Sequence, residues 1–136
     1  MEIINLHDVP GQISKKIFHM PTSAVKRTFK DAKEIGVRSI ALIGEGENTL
    51  HPDFYEILNY GKDIDLDLSL ATNGVRIDRD KLDIILSSLK WIRFNISAGT
   101  KETFEKIHRV KQMDRVLGNA RALAALKKKK NYKCVI

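Results

Sequence analysis

Three apolar runs of six residues dominate the pattern of the chain: Arg38–Ile43 (RSIALI), Leu66–Ala71 (LDLSLA) and Trp91–Ile96 (WIRFNI). Each gives way to a polar loop containing glycine and then to a stretch with helical spacing. Short apolar runs of this kind, alternating with helices, are the signature of parallel βαβ units. The first run ends at Gly44 and is expected to be a strand buried on both faces of a parallel sheet. The expected fold class is therefore α/β, and the loops after the strands fall along one edge of the sheet, where ligands bind in such folds.

The helices can be placed by their punctuation. A first helix starts at Pro21-Thr22-Ser23, with Thr22 or Ser23 as its cap, carries Ala24, Phe29, Ala32 and Ile35 as an apolar stripe, and ends at Gly36. A second carries Phe54, Ile57 and Leu58, with Gly61 as its stop. Asp78–Leu89 is the crossover helix after Thr72-Asn73-Gly74. Thr100, with Thr103, caps Lys101–Val110, and Asp114–Lys129 forms a long helix whose terminal lysines suit the negative end of its dipole. Tyr132–Ile136 begins a fourth apolar strand. Residues 1–21 are expected to be irregular, because Pro10-Gly11 breaks any single element, and the adjacent His7 and Asp8 are assigned no site.

With 136 residues, 43% of them hydrophobic, one domain with its own core is expected. The formal net charge of +7 permits contact with a polyanion without demonstrating it. A single cysteine, Cys134, excludes an internal disulfide, and there is no CxxC motif, so a reducing cytoplasm is the expected location. No apolar run approaches the roughly 20 residues of a membrane span.

Gly44-Glu45-Gly46-Glu47 is the candidate ligand loop. Two glycines let a ligand approach the backbone, and a carboxylate accepts hydrogen bonds from an ammonium or a hydroxyl. The plainer alternative is a turn with two solvated glutamates. His108 and Arg109, on the helix after the third strand, are candidates for a substrate carboxylate or phosphate, with solvent exposure as the alternative.

Three segments in order resemble the radical S-adenosylmethionine (radical SAM) superfamily: Gly44-Glu45-Gly46-Glu47 leading to Leu50-His51-Pro52-Asp53-Phe54, then Thr72-Asn73-Gly74, then Ile92–Thr100 with Glu102-Thr103-Phe104. The resemblance covers roughly residues 22 to 136. It implies part of a (β/α)6 partial TIM barrel, with residues 1–136 as one partial core domain holding the family's strands two to four and the start of strand five. By the same resemblance Gly44, Glu45, Gly46 and Glu47 form the loop that receives the methionyl ammonium of S-adenosylmethionine, with Glu47 as the acceptor. Glu45 stands where a glycine is more usual, and Asn48 replaces a proline, which is expected to loosen the turn. Thr72 and Asn73 fall near the cofactor, and Asn95 and Ser97 on its ribose side.

The family's cofactors are S-adenosylmethionine and a [4Fe-4S] cluster held by CxxxCxxC. That motif is absent from the sequence. The chain is accordingly expected to be an internal fragment of an enzyme that reductively cleaves S-adenosylmethionine to a 5′-deoxyadenosyl radical and abstracts hydrogen from a substrate. Alone, it is expected to be inactive. The implied partners are a small-molecule or peptide substrate of unknown identity and an electron donor such as a ferredoxin or flavodoxin, with no membrane. The alternatives are a cluster-free half-barrel that binds S-adenosylmethionine or another protein, and a basic nucleic-acid-binding module resting on Arg115, Arg121 and Lys127–Lys130.

Overall fold

The computed structural model describes residues 19–44 and 46–136. The His7–Asp8 pair, nearly all of the segment expected to be irregular, and Glu45 lie outside the described residues. The elements follow as α1 (Thr22–Glu34), β1 (Ser39–Leu42), a short 3-10 turn at Asn48–Leu50, α2 (Phe54–Asp63), β2 (Asp67–Thr72), a second 3-10 turn at Arg79–Lys81, α3 (Leu82–Ser88), β3 (Leu89–Phe94), α4 (Lys101–His108) and α5 (Met113–Lys130).

The three strands form a parallel sheet in the order β1-β2-β3. Ile40 pairs with Leu68 and Leu42 with Leu70, and Leu70 pairs in turn with Ile92. Since side chains alternate across a strand, these residues line one face. That face meets Phe29 of α1, Phe54, Ile57 and Leu58 of α2, Ile85 and Leu86 of α3 and Leu123 of α5 in one apolar core. Ser39, Ala41, Ser69, Ala71, Trp91 and Arg93 fall on the opposite row, which is small-sided on β1 and β2 and carries its two large side chains, Trp91 and Arg93, on β3. The chain's end adds to the outer edge of β3: Trp91 bridges Val135 in parallel, Ile92 N–H donates to Val135 O at 2.8 Å, and Val135 N–H donates to Lys90 O at 2.9 Å. The expected fourth strand is thus present as a single bridge.

Several local expectations give way to tertiary contacts. β1 is not buried on both faces: Ser39 and Ala41 are exposed and only Ile40 and Leu42 are partly covered, because packed helices lie on one side of the strand alone. β2, the central strand, is the one whose residues are nearly all buried. Pro21, rather than Thr22 or Ser23, occupies the cap position of α1. The Thr22 hydroxyl instead donates to the Asp53 carboxylate at the start of α2. Of the expected stripe on α1 only Phe29 is buried; Ile35 is 81% exposed, and Val25, one turn before Phe29, packs on the core in its place. Leu89 belongs to β3 and not to the preceding helix, and the three residues before Leu82 wind as a 3-10 turn.

Gly61 is a different case. It is buried inside α2, and a Cβ there would lie 2.4 Å from Leu68 Cδ1. Its role is to let the helix approach the central strand; the helix stops further on, at Ile64 and the left-handed Asp65. Gly74, at the turn after β2, has φ +74° and would direct a Cβ to 2.5 Å from the Phe94 ring. Both the conformation and the space there require glycine. Gly74→Ala is expected to lower stability by about 2 kcal/mol or more, from overpacking together with the left-handed backbone, read as a fall in the urea midpoint at unchanged slope.

Candidate functional site

Parallel pairing puts the C-terminal ends of β1, β2 and β3 on one edge, and a cavity of about 490 Å³ lies there. Its walls come from Ile43, Gly44, Gly46, Glu47 and Leu50 after β1, Ala71, Thr72 and Asn73 at the end of β2, Asn95 after β3, and His108 on α4.

Glu47 joins two of these loops. It caps the 3-10 turn, its Oε1 accepting from Thr49 N–H at 3.2 Å and from the Thr49 hydroxyl at 2.8 Å. The same oxygen accepts from the Thr72 hydroxyl at 2.6 Å, and Oε2 accepts from Asn73 N–H at 2.7 Å. Thr72 Oγ1 in turn accepts from Gly74 N–H at 2.9 Å, and Asn73 Oδ1 accepts from Val75 N–H at 2.9 Å, closing a small turn. Oε1 therefore has three donors and Oε2 one, so the remaining acceptor capacity of the carboxylate is on Oε2.

The loop before Glu47 is tied down as well. Asn48 is buried, and its amide donates to Leu42 O at 3.1 Å, so the side chain standing in place of a proline restrains the turn instead of loosening it. His51 is buried too. Its Nδ1 accepts from Asp53 N–H at 3.1 Å, which leaves Nε2–H to donate to Met20 O at 2.8 Å. Behind the second loop, buried Asn119 of α5 donates to Gly74 O at 2.8 Å and accepts from Arg79 Nε at 3.0 Å.

Of the residues singled out from sequence, Gly44, Gly46, Glu47, Thr72, Asn73 and Asn95 come together around the cavity. Asn95 is exposed there and its Oδ1 accepts from Arg93 Nε at 3.1 Å. Ser97, at φ +51°, is not among the lining residues. His108 lines the cavity, packed on Phe104 with ring centroids 4.3 Å apart and with Nε2 2.8 Å from Ile96 O. Arg109 next to it takes the left-handed helix end and lines nothing here. Arg76 and Gln112, which the sequence reading did not mark, line an adjoining cavity together with Arg115, which it named only in the nucleic-acid alternative. The available signal was position: Arg76 lies two residues past Gly74, in the loop that leaves the central strand.

The donor set fits the two family cofactors unequally. A carboxylate with spare capacity beside a glycine-lined opening suits an ammonium-bearing ligand such as S-adenosylmethionine. A cluster needs thiolates, and Cys134, the sole cysteine of the sequence, lies at the other end of the sheet, in a cavity shared with Asp67 and Lys90. The residue is 2% exposed, and burial pushes the thiol pKa up to about 11. Among the described residues no group of three His, Cys, Asp or Glu side chains is placed to hold a metal. The residues of this chain do not provide the cluster's ligands.

Comparison with known proteins agrees with the loops. A family model described as the radical SAM superfamily matches residues 7–136. A probable GTP 3′,8-cyclase of Saccharolobus islandicus (strain M.14.25 / Kamchatka #1) is 37% identical over 89 residues, covering 65% of this chain and 29% of that protein. A protein of the same name from Thermococcus kodakarensis (strain ATCC BAA-918 / JCM 12380 / KOD1) is 28% identical over 93 residues, 68% of this chain and 30% of its own length. The aligned part thus spans less than a third of these curated relatives. Among the described residues, no helix is long and apolar enough to cross a membrane.

Two expectations can be checked on the isolated chain. Thr72→Val removes the donor to Glu47 and the acceptor of Gly74 N–H at a position 1% exposed; it is expected to cost about 1–3 kcal/mol in urea unfolding. Because the folded Cys134 thiol titrates above its ordinary 9.0, near 11, the unfolded chain releases that proton first. Stability from this group is therefore full below pH 9 and is lost as pH rises from 9 to 11. Cys134→Ala should flatten the fall in melting temperature across that window.

Proposed function

Because the chain belongs to the radical SAM superfamily, we propose that the strand-end cavity is the S-adenosylmethionine-binding part of a radical SAM core, with Glu47 as acceptor of the methionyl ammonium. The observation that carries this reading is the state of the Glu47 carboxylate. Thr49, Thr72 and Asn73 fix its orientation with four hydrogen bonds, and Oε2 retains capacity for another donor. An acceptor held in advance loses little freedom when a ligand arrives, which favours binding.

The other lining residues have supporting roles in the proposal. Gly44 and Gly46 leave room for the ligand to pass close to the backbone. Thr72 and Asn73 steady Glu47 from the second loop and line the wall beside it. Asn95 lies on the β3 side, available to a ribose hydroxyl, whereas Ser97 has no place in the wall. Held by Glu47, Thr72, Asn73 and Asn95 in a complete core, S-adenosylmethionine would supply hydrogen-abstracting radical chemistry, its S–C5′ bond cleaved by one electron with methionine as the leaving group. That reaction needs cluster thiolates that these 136 residues do not contain; an enzyme containing this core would draw them, and its electron donor, from elsewhere. The relatives' printed activity on GTP sets a nucleotide among the substrates to be tried.

A second reading is a chain that binds S-adenosylmethionine without a cluster, and the distance of Cys134 from the cavity favours it for these residues taken alone. Calorimetric titration of the chain with S-adenosylmethionine tests the shared element of both readings. Glu47→Ala is expected to weaken binding by about tenfold or more, the range of a charge-assisted hydrogen bond, and Glu45→Ala by less. Equal losses, or no loss at Glu47, would overturn the assignment.

A further inference from the structure

A second cavity of about 400 Å³ shares Glu47, Leu50, Asn73 and His108 with the first and extends toward α5. Its own walls carry Arg76, Gln112 and Arg115. We propose that this cavity is an oxyanion site that takes the phosphate or carboxylate of a substrate lying beside the cofactor. Its assignment to a substrate rests on the reading of the first cavity given above; the binding of an oxyanion does not.

The argument is a count of donors against acceptors. Two guanidiniums enter the cavity wall, and among the described residues neither forms an ion pair. Among the described residues the one carboxylate in the wall is Glu47, whose Oε1 is filled by Thr49 and Thr72 and whose Oε2 accepts from Asn73 N–H. The acids nearest in sequence on α4 and α5 are engaged elsewhere: Asp114 with Lys101 at 2.6 Å and Glu105 with Lys111 at 3.3 Å. His108 is held to Ile96 O. Among the described residues the wall therefore sets two guanidinium charges against one carboxylate, a surplus of positive charge and N–H donors. A guanidinium's planar fork matches carboxylate and phosphate oxygens.

Both arginines are anchored at the base. Arg76 follows Gly74 and Val75 in the loop that Asn73 closes and Asn119 holds from behind. Arg115 lies one helical turn before Asn119 on α5, and the buried Asn119 amide ties that helix to the Gly74 loop. The two charges are presented from one braced unit.

The test uses the 136-residue chain, labelled with nitrogen-15 and titrated with inorganic pyrophosphate at low salt. Saturable shifts of the Arg76 and Arg115 Nε–H signals are expected. Combined R76Q and R115Q should raise the apparent Kd at least tenfold, while K128Q with K129Q, removing two exposed charges from the end of α5, should leave it unchanged. Both arginines are exposed, and an unaltered thermal melt confirms that the variants are folded. An equal loss in the lysine variant would overturn the proposal, showing only diffuse attraction to a basic chain.

Titration with S-adenosylmethionine separates the sources of the oxyanion. Unchanged affinity in the arginine variant supports a substrate site. Weakened S-adenosylmethionine binding with pyrophosphate unaffected would place the cofactor's own carboxylate there and overturn it. If Glu47→Ala leaves S-adenosylmethionine binding intact while pyrophosphate still depends on the arginines, the cofactor reading fails and the oxyanion site stands.

Discussion

Parallel pairing of three short strands is the constraint on which the site depends. In a parallel sheet every strand ends on the same side, so the loops after β1, β2 and β3 are brought to one edge whatever their sequences. An antiparallel neighbour would have sent Glu47 and Asn73 to opposite ends. The pairing is itself held by one apolar row, Ile40, Leu42, Leu68, Leu70 and Ile92, against four helices. Burial on that face fixes the register, and the register places the end of β2 level with the loop that carries Glu47.

The polar layer above the core is organised for the same purpose. Glu47, Thr72, Asn73, Asn48 and Asn119 each tie one loop to another or to a strand end. Such a network is stable because its members are satisfied; a half-satisfied one would cost more than an apolar substitute. The loops are thus tied to the strands beneath them by side-chain hydrogen bonds, although they carry few apolar side chains of their own.

Much of this was legible in the sequence, and the parts that were not have a common cause. The strand runs, the Thr100 cap, α5 and the three loop motifs depend on near neighbours in the chain, and each lies within two residues of where the pattern puts it. Misreadings arose where a distant residue decides. Gly61 reads as a helix stop until Leu68 is packed against it, Thr22 reads as a cap until Asp53 claims its hydroxyl, and Ile35 reads as core although no element covers it. At the site, motifs found the acceptor loop but not Arg76, and Arg115 was named only as part of a basic surface, since a lone arginine carries no pattern. Only the folding of the β2 loop against α5 brings those two to one wall.

The Thr72 hydroxyl has one hydrogen and stands between two fixed groups. It accepts from Gly74 N–H, so its own hydrogen is directed at Glu47. The chain of bonds therefore has a polarity, running from the Gly74 amide through the hydroxyl to the carboxylate, and each bond polarises the next. A cation placed against Oε2 would draw charge from Oε1, relax the grip on the hydroxyl and shift the resonance of the Gly74 amide. The fold has in effect wired a buried proton to the opening at the strand ends, where it can report occupancy without touching the occupant.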